Sequence, residues 1–187
     1  NDLKTIEKHV KSCKAIVEDL LNFARTSRSR KERLDIHPII ADVIGFVRHH
    51  SNLEHIQNER HFASGIPLVL MDEKKIKQVL INLLMNAIHA VAPEGTIRIT
   101  TGVRAKSGRV IVEFSDTGHG IAKENLARVF DPFFTTKPTG EGTGLGLSVS
   151  YGIIKAHGGN ITVRSKPGQG ATFTLFLPVD PPALSGR

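Results

Sequence analysis

Amide side chains at regular spacing are the first residues in this sequence that could do chemistry. In KKIKQVLINLLMNAIHAV, Gln78, Asn82 and Asn86 recur every fourth residue, which places them on one face of a helix beside an apolar stripe. A buried amide without a partner costs about 1 to 3 kcal/mol, so these groups need partners. A ligand could supply them, because a neutral amide oxygen can complete a Mg²⁺ shell without adding charge. Nearby backbone would satisfy the amides equally well.

A carboxylate followed by glycines forms the second candidate site. In FSDTGHGI, the predicted strand ends at Asp116, and Gly118 and Gly120 follow. Glycine lets the backbone approach a ligand closely. A carboxylate at a strand end can accept a hydrogen bond from the exocyclic amine of adenine. Alone, the same residues are compatible with an Asx-type turn.

A long glycine-rich segment, FDPFFTTKPTGEGTGLGLS, is the third candidate. Its alternating glycines lead into a predicted helix, whose free N–H groups and dipole can hold phosphate oxygens; they are Gly140, Gly142, Gly144 and Gly146. Lys137 adds a mobile positive charge. The segment is not a P-loop, because no Gly-Lys-Ser/Thr follows. It is not a dinucleotide fingerprint either, because the preceding residues are polar and include proline.

Mixed helices and strands must position these three segments. LDIHP is interpreted as a short strand entering a helix near Pro38, and IQNERHFA and PLVL as strands. A long helix is predicted from Asp72 to about Val91, followed by the paired strands TIRITTGVR and RVIVEFSD. A short helix around 123–129, a loop to about 142, a helix over about 145–157, and the strands NITVRS and TFTLFLP complete the prediction.

A separate amphipathic helix is predicted before this region. Its apolar and small positions alternate steps of three and four, as in a coiled-coil seam: Leu3, Ile6, Val10, Cys13, Val17, Leu20 and Ala24. Further apolar residues widen the stripe, which is typical of a four-helix bundle. One such helix needs a partner helix or a second chain. Folding back on the following domain is the alternative.

Composition narrows the class of protein. The chain has 187 residues, 40% of them hydrophobic, and a formal charge of +7. No apolar run approaches the roughly 20 residues that span a bilayer, and the single Cys13 excludes an intrachain disulfide. We therefore expect a cytoplasmic segment, whose parent protein could still be membrane-anchored. The basic cluster lies in TSRSRKER, and the chain has no Trp and one Tyr, so nucleic-acid binding is not expected.

Four motifs in a fixed order make the resemblance specific. NLLMNA, DTGHGI, FDPFFTTK and GTGLGL resemble the N, G1, F and G2 boxes of histidine kinase catalytic domains, and GQGATF is similar to a further glycine box. The resemblance covers about 34–178. The preceding helix, with LLNFAR, resembles the second helix of the kinase dimerisation hairpin. The resemblance divides the chain into that helix (1–27), a basic linker (28–33), the ATP-binding domain (34–178) and a disordered tail (179–187).

The resemblance implies an α+β fold of the Bergerat type, a two-layer α/β sandwich with a mixed sheet of about five strands. It implies ATP and Mg²⁺ as ligands, with Asn86 as the metal ligand, Asn82 supporting metal and phosphates, and Asp116 contacting adenine. Asn82 and Lys137 are the implied catalytic residues. The other implied nucleotide-binding residues are His89, Gly118, Gly120, Ile121, Gly142, Thr143, Gly144, Leu145, Gly146 and Leu147. Phe130, Phe133 and Phe134 are interpreted as packing residues of an ATP lid.

The implied activity is that of a protein-histidine kinase. The γ-phosphoryl group would pass from ATP to a histidine and then to an aspartate of a response-regulator receiver domain. We expect that histidine, and its phosphoacceptor helix, to lie outside this fragment, because His9 lacks the acidic residue and proline that follow the family's acceptor. The fragment alone should then not autophosphorylate, and the full-length parent should be a homodimer.

Three alternatives remain at this point. Two are enzymes of the same fold, an ATP-hydrolysing switch and a serine kinase, and the third is a non-catalytic nucleotide-binding dimeric scaffold. Related ATPases such as gyrase carry a glutamate where this chain has Asn82. An amide cannot take a proton from water, which favours phosphoryl transfer over hydrolysis.

Overall fold

The computed structural model describes residues 30–50, 55–138 and 142–180, with no side-chain description at 49 and 50. The predicted seam helix, the first two residues of the basic linker and most of the tail lie outside these residues, and their assignments stay predictions. In the described part, no helix is both long enough and apolar enough to cross a membrane.

A five-stranded mixed sheet forms one layer. Its strands are β2 (Ile56–Phe62), β4 (Gly95–Arg104), β5 (Arg109–Asp116), β6 (Asn160–Ser165) and β7 (Ala171–Pro178). Their spatial order is β2-β4-β5-β7-β6. Strand β2 is parallel to β4, and the three remaining neighbouring pairs are antiparallel. Alternate residues of β5 are buried, because one face of the sheet lies against the core.

Helices cover that inner face. They are α1 (Ile36–His50), α2 (Glu73–Val91), the single turn α3 (Lys123–Leu126) and α4 (Gly146–Ala156). The predicted apolar stripe of α2 is buried throughout: Ile76, Val79, Leu80, Leu83, Leu84, Ala87 and Ile88. It packs against strand residues such as Ile99, Val112 and Leu175, which are fully buried. The predicted two-layer sandwich with about five strands is confirmed.

A small ribbon joins the start of the described chain to this layer. Strand β1 (Glu32–Leu34) pairs antiparallel with β3 (Val69–Met71), so Glu32 and Arg33, which the sequence placed in the linker, belong to a strand. The predicted strand LDIHP is wrong beyond Leu34. Asp35 instead accepts a hydrogen bond from the His37 backbone N–H at 2.9 Å, and α1 begins at Ile36. Proline is tolerated in the first turn of this helix, where its missing N–H has no partner to lose.

Helix α2 has well-defined ends. Its N-cap, Asp72, accepts a hydrogen bond from the Lys75 backbone N–H at 3.1 Å. The negative charge of Glu73 in the first turn interacts favourably with the positive end of the helix dipole. The helix ends at Val91, as predicted. The short α3 ends at Leu126, before the predicted Val129.

Candidate functional site

The candidate site lies where α2 meets the start of α4. Asn82 donates through Nδ2 to the Gly146 carbonyl at 3.1 Å and to Ser150 Oγ at 3.3 Å. Ser150 is fully buried and donates to the same carbonyl at 2.8 Å. The NH₂ group of Asn82 therefore has protein hydrogen-bond partners. The sequence had left open whether a ligand or nearby protein groups would supply them.

Asn86 and His89 lie one and two turns beyond Asn82 on α2. Asn86 is half-buried, and its amide makes no hydrogen bond to any residue within the described ranges. His89 Nδ1 lies 3.1 Å from Lys137 Nζ, and because an ammonium group can only donate, the ring nitrogen accepts. Lys137 is oriented by its own backbone N–H, which donates to Thr135 Oγ1 at 3.1 Å. The structure thus brings Lys137 onto the helix that carries both asparagines.

The first turn of α4 has the features of an anion site. Leu145 occupies the N-cap position and makes no side-chain capping bond, and among the described residues no side chain caps the first N–H groups of the helix. Just before it, the Leu145 backbone N–H donates to Thr143 Oγ1 at 3.3 Å. Free N–H groups and the helix dipole favour phosphate at such an end. Leu145 is buried and Leu147 is half-buried against the core, so these two leucines anchor the turn.

Two glycines before this turn pack against the segment that carries Lys137. At Gly144, φ is +69°, and a Cβ would collide with the backbone of Phe133. At Gly142, a Cβ would lie 3.0 Å from Thr135 Oγ1 and 3.2 Å from Lys137 Cδ. The missing side chains therefore let the two parts of the long loop approach each other.

Asp116 ends β5 and is 8% exposed. Its Oδ1 accepts hydrogen bonds from the backbone N–H groups of Gly118 at 2.9 Å and Ala171 at 3.2 Å. Burial raises the pKa of this carboxyl above its ordinary value, although the two N–H groups and nearby His119 oppose the shift. No side-chain oxygen or nitrogen in the described chain is both buried and unbonded, so Oδ2 reaches accessible space. Oδ2 is therefore available to accept a hydrogen bond from a ligand.

The glycines after Asp116 also pack closely against protein backbone. A Cβ on Gly118 would collide with the Ala90 carbonyl at the end of α2, and a Cβ on Gly120, where φ is +71°, would collide with the Lys166 carbonyl. Close packing of protein backbone therefore requires glycine at both positions. Ile121 is held beside them by its N–H, which donates to Ser165 Oγ at 2.8 Å.

The three phenylalanines of FDPFF do not share one role. Phe130 packs against Tyr151 of α4 and Phe173 of β7, with ring centroids 5.5 and 6.5 Å apart. The Arg128 guanidinium lies over the Phe134 ring, and its Cζ is 4.6 Å from the ring centroid. Phe133 is 64% exposed, so the expectation that it packs is wrong. Its backbone is what packs, against Gly144.

Comparison with known proteins identifies this arrangement. Residues 71–181 match the family described as "Histidine kinase-, DNA gyrase B-, and HSP90-like ATPase", and this range is more than half of the chain. The chain belongs to this ATPase family. The histidine-protein kinase AtoS of Escherichia coli (strain K12) is 36% identical to it over 179 residues, which are 96% of this chain and 29% of AtoS. The chain thus spans less than a third of that relative.

Two solved histidine kinase structures are also similar. Full-length ShkA in complex with AMPPNP has a TM-score of 0.79 and 28% identity, covering 100% of this chain and 39% of ShkA. ThkA in complex with the response regulator protein TrrA has a TM-score of 0.78 and 28% identity, covering 96% of this chain and 51% of ThkA. The predicted resemblance to an ATP-binding histidine kinase catalytic domain is confirmed.

Several groups that build this ATPase-family site were missed in the sequence. They are Thr135, Ser150, Ser165 and the backbone N–H of Ala171. Ser150 lies four residues after Gly146, a spacing that allows its hydroxyl to bond the helix backbone, but its contact with Asn82 crosses 68 residues. Only the fold brings that pair together.

Proposed function

We propose that this chain is the catalytic domain of a two-component sensor histidine kinase, which binds Mg-ATP and donates its γ-phosphoryl group to a histidine on a phosphoacceptor helix. The observation that carries the proposal is the pairing of an amide-bearing helix with the uncapped, glycine-led start of α4. The similarity to AtoS and ThkA supports it. A response-regulator aspartate would then receive the phosphoryl group, and the full-length parent would act as a cytoplasmic-facing homodimer.

Each part of ATP has a proposed partner in this site. Asp116 would accept from the exocyclic amine of adenine through Oδ2, and the loop from Gly118 to Ile121 would border the base. The N–H groups from Gly142 to Leu147, other than that of Leu145, which bonds Thr143, would hold phosphate oxygens. Asn86 fits a magnesium ligand because its half-buried amide has no other bond in the described chain. When bound, Mg²⁺ would neutralise part of the phosphate charge.

The side chains of this domain would act by position and charge. Lys137, held beside His89, would bring a positive charge to the outer phosphate and stabilise charge that develops during transfer. The acceptor nitrogen would form a bond to phosphorus while the bond from phosphorus to the ADP oxygen breaks. Asn82 has no basic group to activate water, and its NH₂ already bonds α4. This disfavours the ATP-hydrolysing alternative.

Calorimetry on matched asparagine variants tests the metal assignment. We expect Asn86→Ala to weaken Mg-dependent ATP binding by at least about tenfold, since a lost charge-assisted contact is worth about 1.5 to 3 kcal/mol. Asn58→Ala, at an exposed position on β2, should bind as the wild type does. Equal ATP affinity of all three proteins would show that Asn86 holds no metal.

A second experiment tests the reaction. The full-length parent, incubated with ATP labelled at the γ-phosphate, should form an acid-labile, alkali-stable phosphohistidine, and the Asn86→Ala parent should not. Steady release of inorganic phosphate without a labelled protein would support the hydrolysing switch. Label that survives acid would support the serine kinase.

A further inference from the structure

A buried histidine joins the two nucleotide-site helices at the end far from the proposed phosphates. His157 follows the last residue of α4 and is 3% exposed. Its Nε2 lies 3.0 Å from the backbone nitrogen of Asp72, and its Nδ1 lies 2.7 Å from the Ile153 carbonyl. A backbone N–H can only donate, so Nε2 accepts and the ring proton is on Nδ1. Both ring nitrogens are therefore used, one within α4 and one towards α2.

The residue that His157 contacts is the N-cap of α2. The Asp72 side chain caps the helix by accepting from the Lys75 N–H, while the Asp72 backbone N–H points to His157. The imidazole at the C-cap of α4 therefore bonds the N-cap residue of α2. In addition, Lys31 Nζ donates to the neighbouring Ala156 carbonyl at 2.7 Å, which helps to hold this end of α4.

The two helices are thus joined at two places. At one, Asn82 bonds Gly146; at the other, Asp72 bonds His157. Along α2 the two contact points are ten residues apart, which is about 15 Å, and along α4 they are eleven residues apart, about 16.5 Å. The spans nearly match and run in opposite directions. In addition to the apolar packing between the helices, two bonds at nearly equal spacing constrain the axial position and the tilt of one helix against the other more than a single bond would.

We propose that His157 is a positioning residue for nucleotide binding, which sets the spacing between Asn86 on α2 and the phosphate-facing N–H groups of α4. This inference rests on the proposed function, because the affected groups are those assigned there to Mg²⁺ and phosphate. His157 itself touches neither. Burial lowers the pKa of His157, which supports an imidazole that stays neutral and keeps Nε2 as an acceptor.

Three substitutions separate this role from ordinary helix capping. A glutamine amide can reach the position of Nε2 and accept from Asp72, whereas an asparagine amide reaches only the position of Nδ1 and bonds within α4. We expect His157→Asn and His157→Ala to weaken ATP binding by about tenfold, because misplacement of site groups by about 1 Å can cost up to about a hundredfold in activity. His157→Gln should stay within about threefold of the wild type for the same geometric reason.

His37→Ala is the matched control. His37 bonds Thr101 Oγ1 at 2.8 Å and stacks on Phe62, so its loss disturbs a histidine contact between α1 and the sheet, away from the α2–α4 pair. All affinities are measured by calorimetry and corrected for the folded fraction found by urea titration. Wild-type affinity of a folded His157→Asn protein would overturn the inference. Loss of binding by Asn86→Ala in the same series would leave the proposed function standing.

A measurement on the wild-type protein covers the case in which the Asn and Ala variants do not fold. If His157 couples the helix ends to the site, binding of a non-hydrolysable ATP analogue should slow hydrogen exchange at the Asp72 amide, since coupling between two sites is reciprocal. The Ala63 amide, which donates to Thr101 Oγ1 at 3.2 Å, is the control and should not change. Equal effects of the analogue at both amides would overturn the inference.

Discussion

Two glycine-containing loops border the site, and they are constructed differently. Around Asp116, backbone bonds reach distant segments: the His119 N–H donates to the Ala90 carbonyl at 3.2 Å, and the Gly170 N–H to the Gly118 carbonyl at 2.9 Å. In the segment 128–134, backbone bonds are local, such as that from the Phe134 N–H to the Asp131 carbonyl at 3.3 Å. One loop is part of the fold, and the other is attached mainly to itself.

This difference separates the two ends of the proposed ATP site. The adenine end is held by α2 and the β6–β7 turn, so it should keep its shape without a ligand. The phosphate end depends on Lys137, His89 and a loop with an exposed Phe133, so it should have low local stability until phosphates are bound. Glycine at the first end permits close packing, and at the second it also leaves N–H groups accessible.

The largest expected effect is on the rigid loop. Gly120→Ala should lower the free energy of unfolding by roughly 3 kcal/mol or more, because it adds left-handed strain of about 1 to 2 kcal/mol and a collision with the Lys166 carbonyl. Gly168→Ala is the control: φ there is +73°, and a Cβ would meet nothing within 4 Å. Gly168→Ala should lower the free energy of unfolding only by the left-handed strain of about 1 to 2 kcal/mol. Urea unfolding measures both, and equal losses would remove the case for close packing at Gly120.

Asp116→Asn should separate binding from stability at the same loop. We expect ATP affinity to fall by about tenfold or more, as for loss of a contact worth about 1.5 kcal/mol, while Oδ1 of asparagine still accepts from Gly118 and Ala171. The free energy of unfolding at pH 7 should not fall. Calorimetry and urea unfolding of the two proteins test this. A variant that binds ATP normally would exclude Asp116 from the adenine site.

The same variant has a defined pH dependence. Because the pKa of Asp116 is higher in the folded protein, the folded state binds more protons in the interval between the unfolded and folded pKa values. The contribution of Asp116 is fully present below the unfolded value of 3.8 and is lost as the pH rises through the folded value. The wild type should therefore lose stability relative to Asp116→Asn over that interval. A constant difference would contradict the burial of the carboxylate.

Amide exchange compares the two loops directly. Without nucleotide, the segments 122–138 and 142–145 should exchange faster than 116–120, and a bound ATP analogue should slow mainly the former. Mass spectrometry of the exchanged protein resolves both regions. Equal protection of the two loops in the ligand-free protein would contradict the difference described above.

The smallest expected effect concerns Phe133, whose φ of +65° lies in the left-handed region. Phe133→Asn should raise the free energy of unfolding by about 0.5 to 1 kcal/mol, because asparagine tolerates this region and the exposed ring contributes little burial. Phe134→Asn should lower it instead, since its ring lies under Arg128. Thermal melts of the pair measure the effects. A loss of stability at position 133 would show that its ring packs in solution.

The local sequence pattern was enough to predict most of the helices and strands. The 3.6-residue stripe of α2, from Ile76 to Ile88, and the alternation in β4 and β5 predicted their type and buried faces, because side-chain direction within one element depends only on its own backbone period. The order of four short motifs likewise predicted the ATPase family. The predicted strand boundary near Asp35 was wrong because the Asp35 side chain accepts from the His37 N–H, and such a local bond competes with strand formation.

What only the tertiary structure decided is which groups meet. The sequence placed Asn82 and Asn86 on one helix face. In the fold, Asn82 bonds Gly146, whereas Asn86 makes no hydrogen bond to a described residue. This difference arises because α4 lies against α2. Likewise, the reason for Gly118 is the Ala90 carbonyl, 28 residues earlier in the chain. His157 contacts Asp72 across 85 residues. Such contacts arise from packing of separate elements, which the period of any one element does not encode.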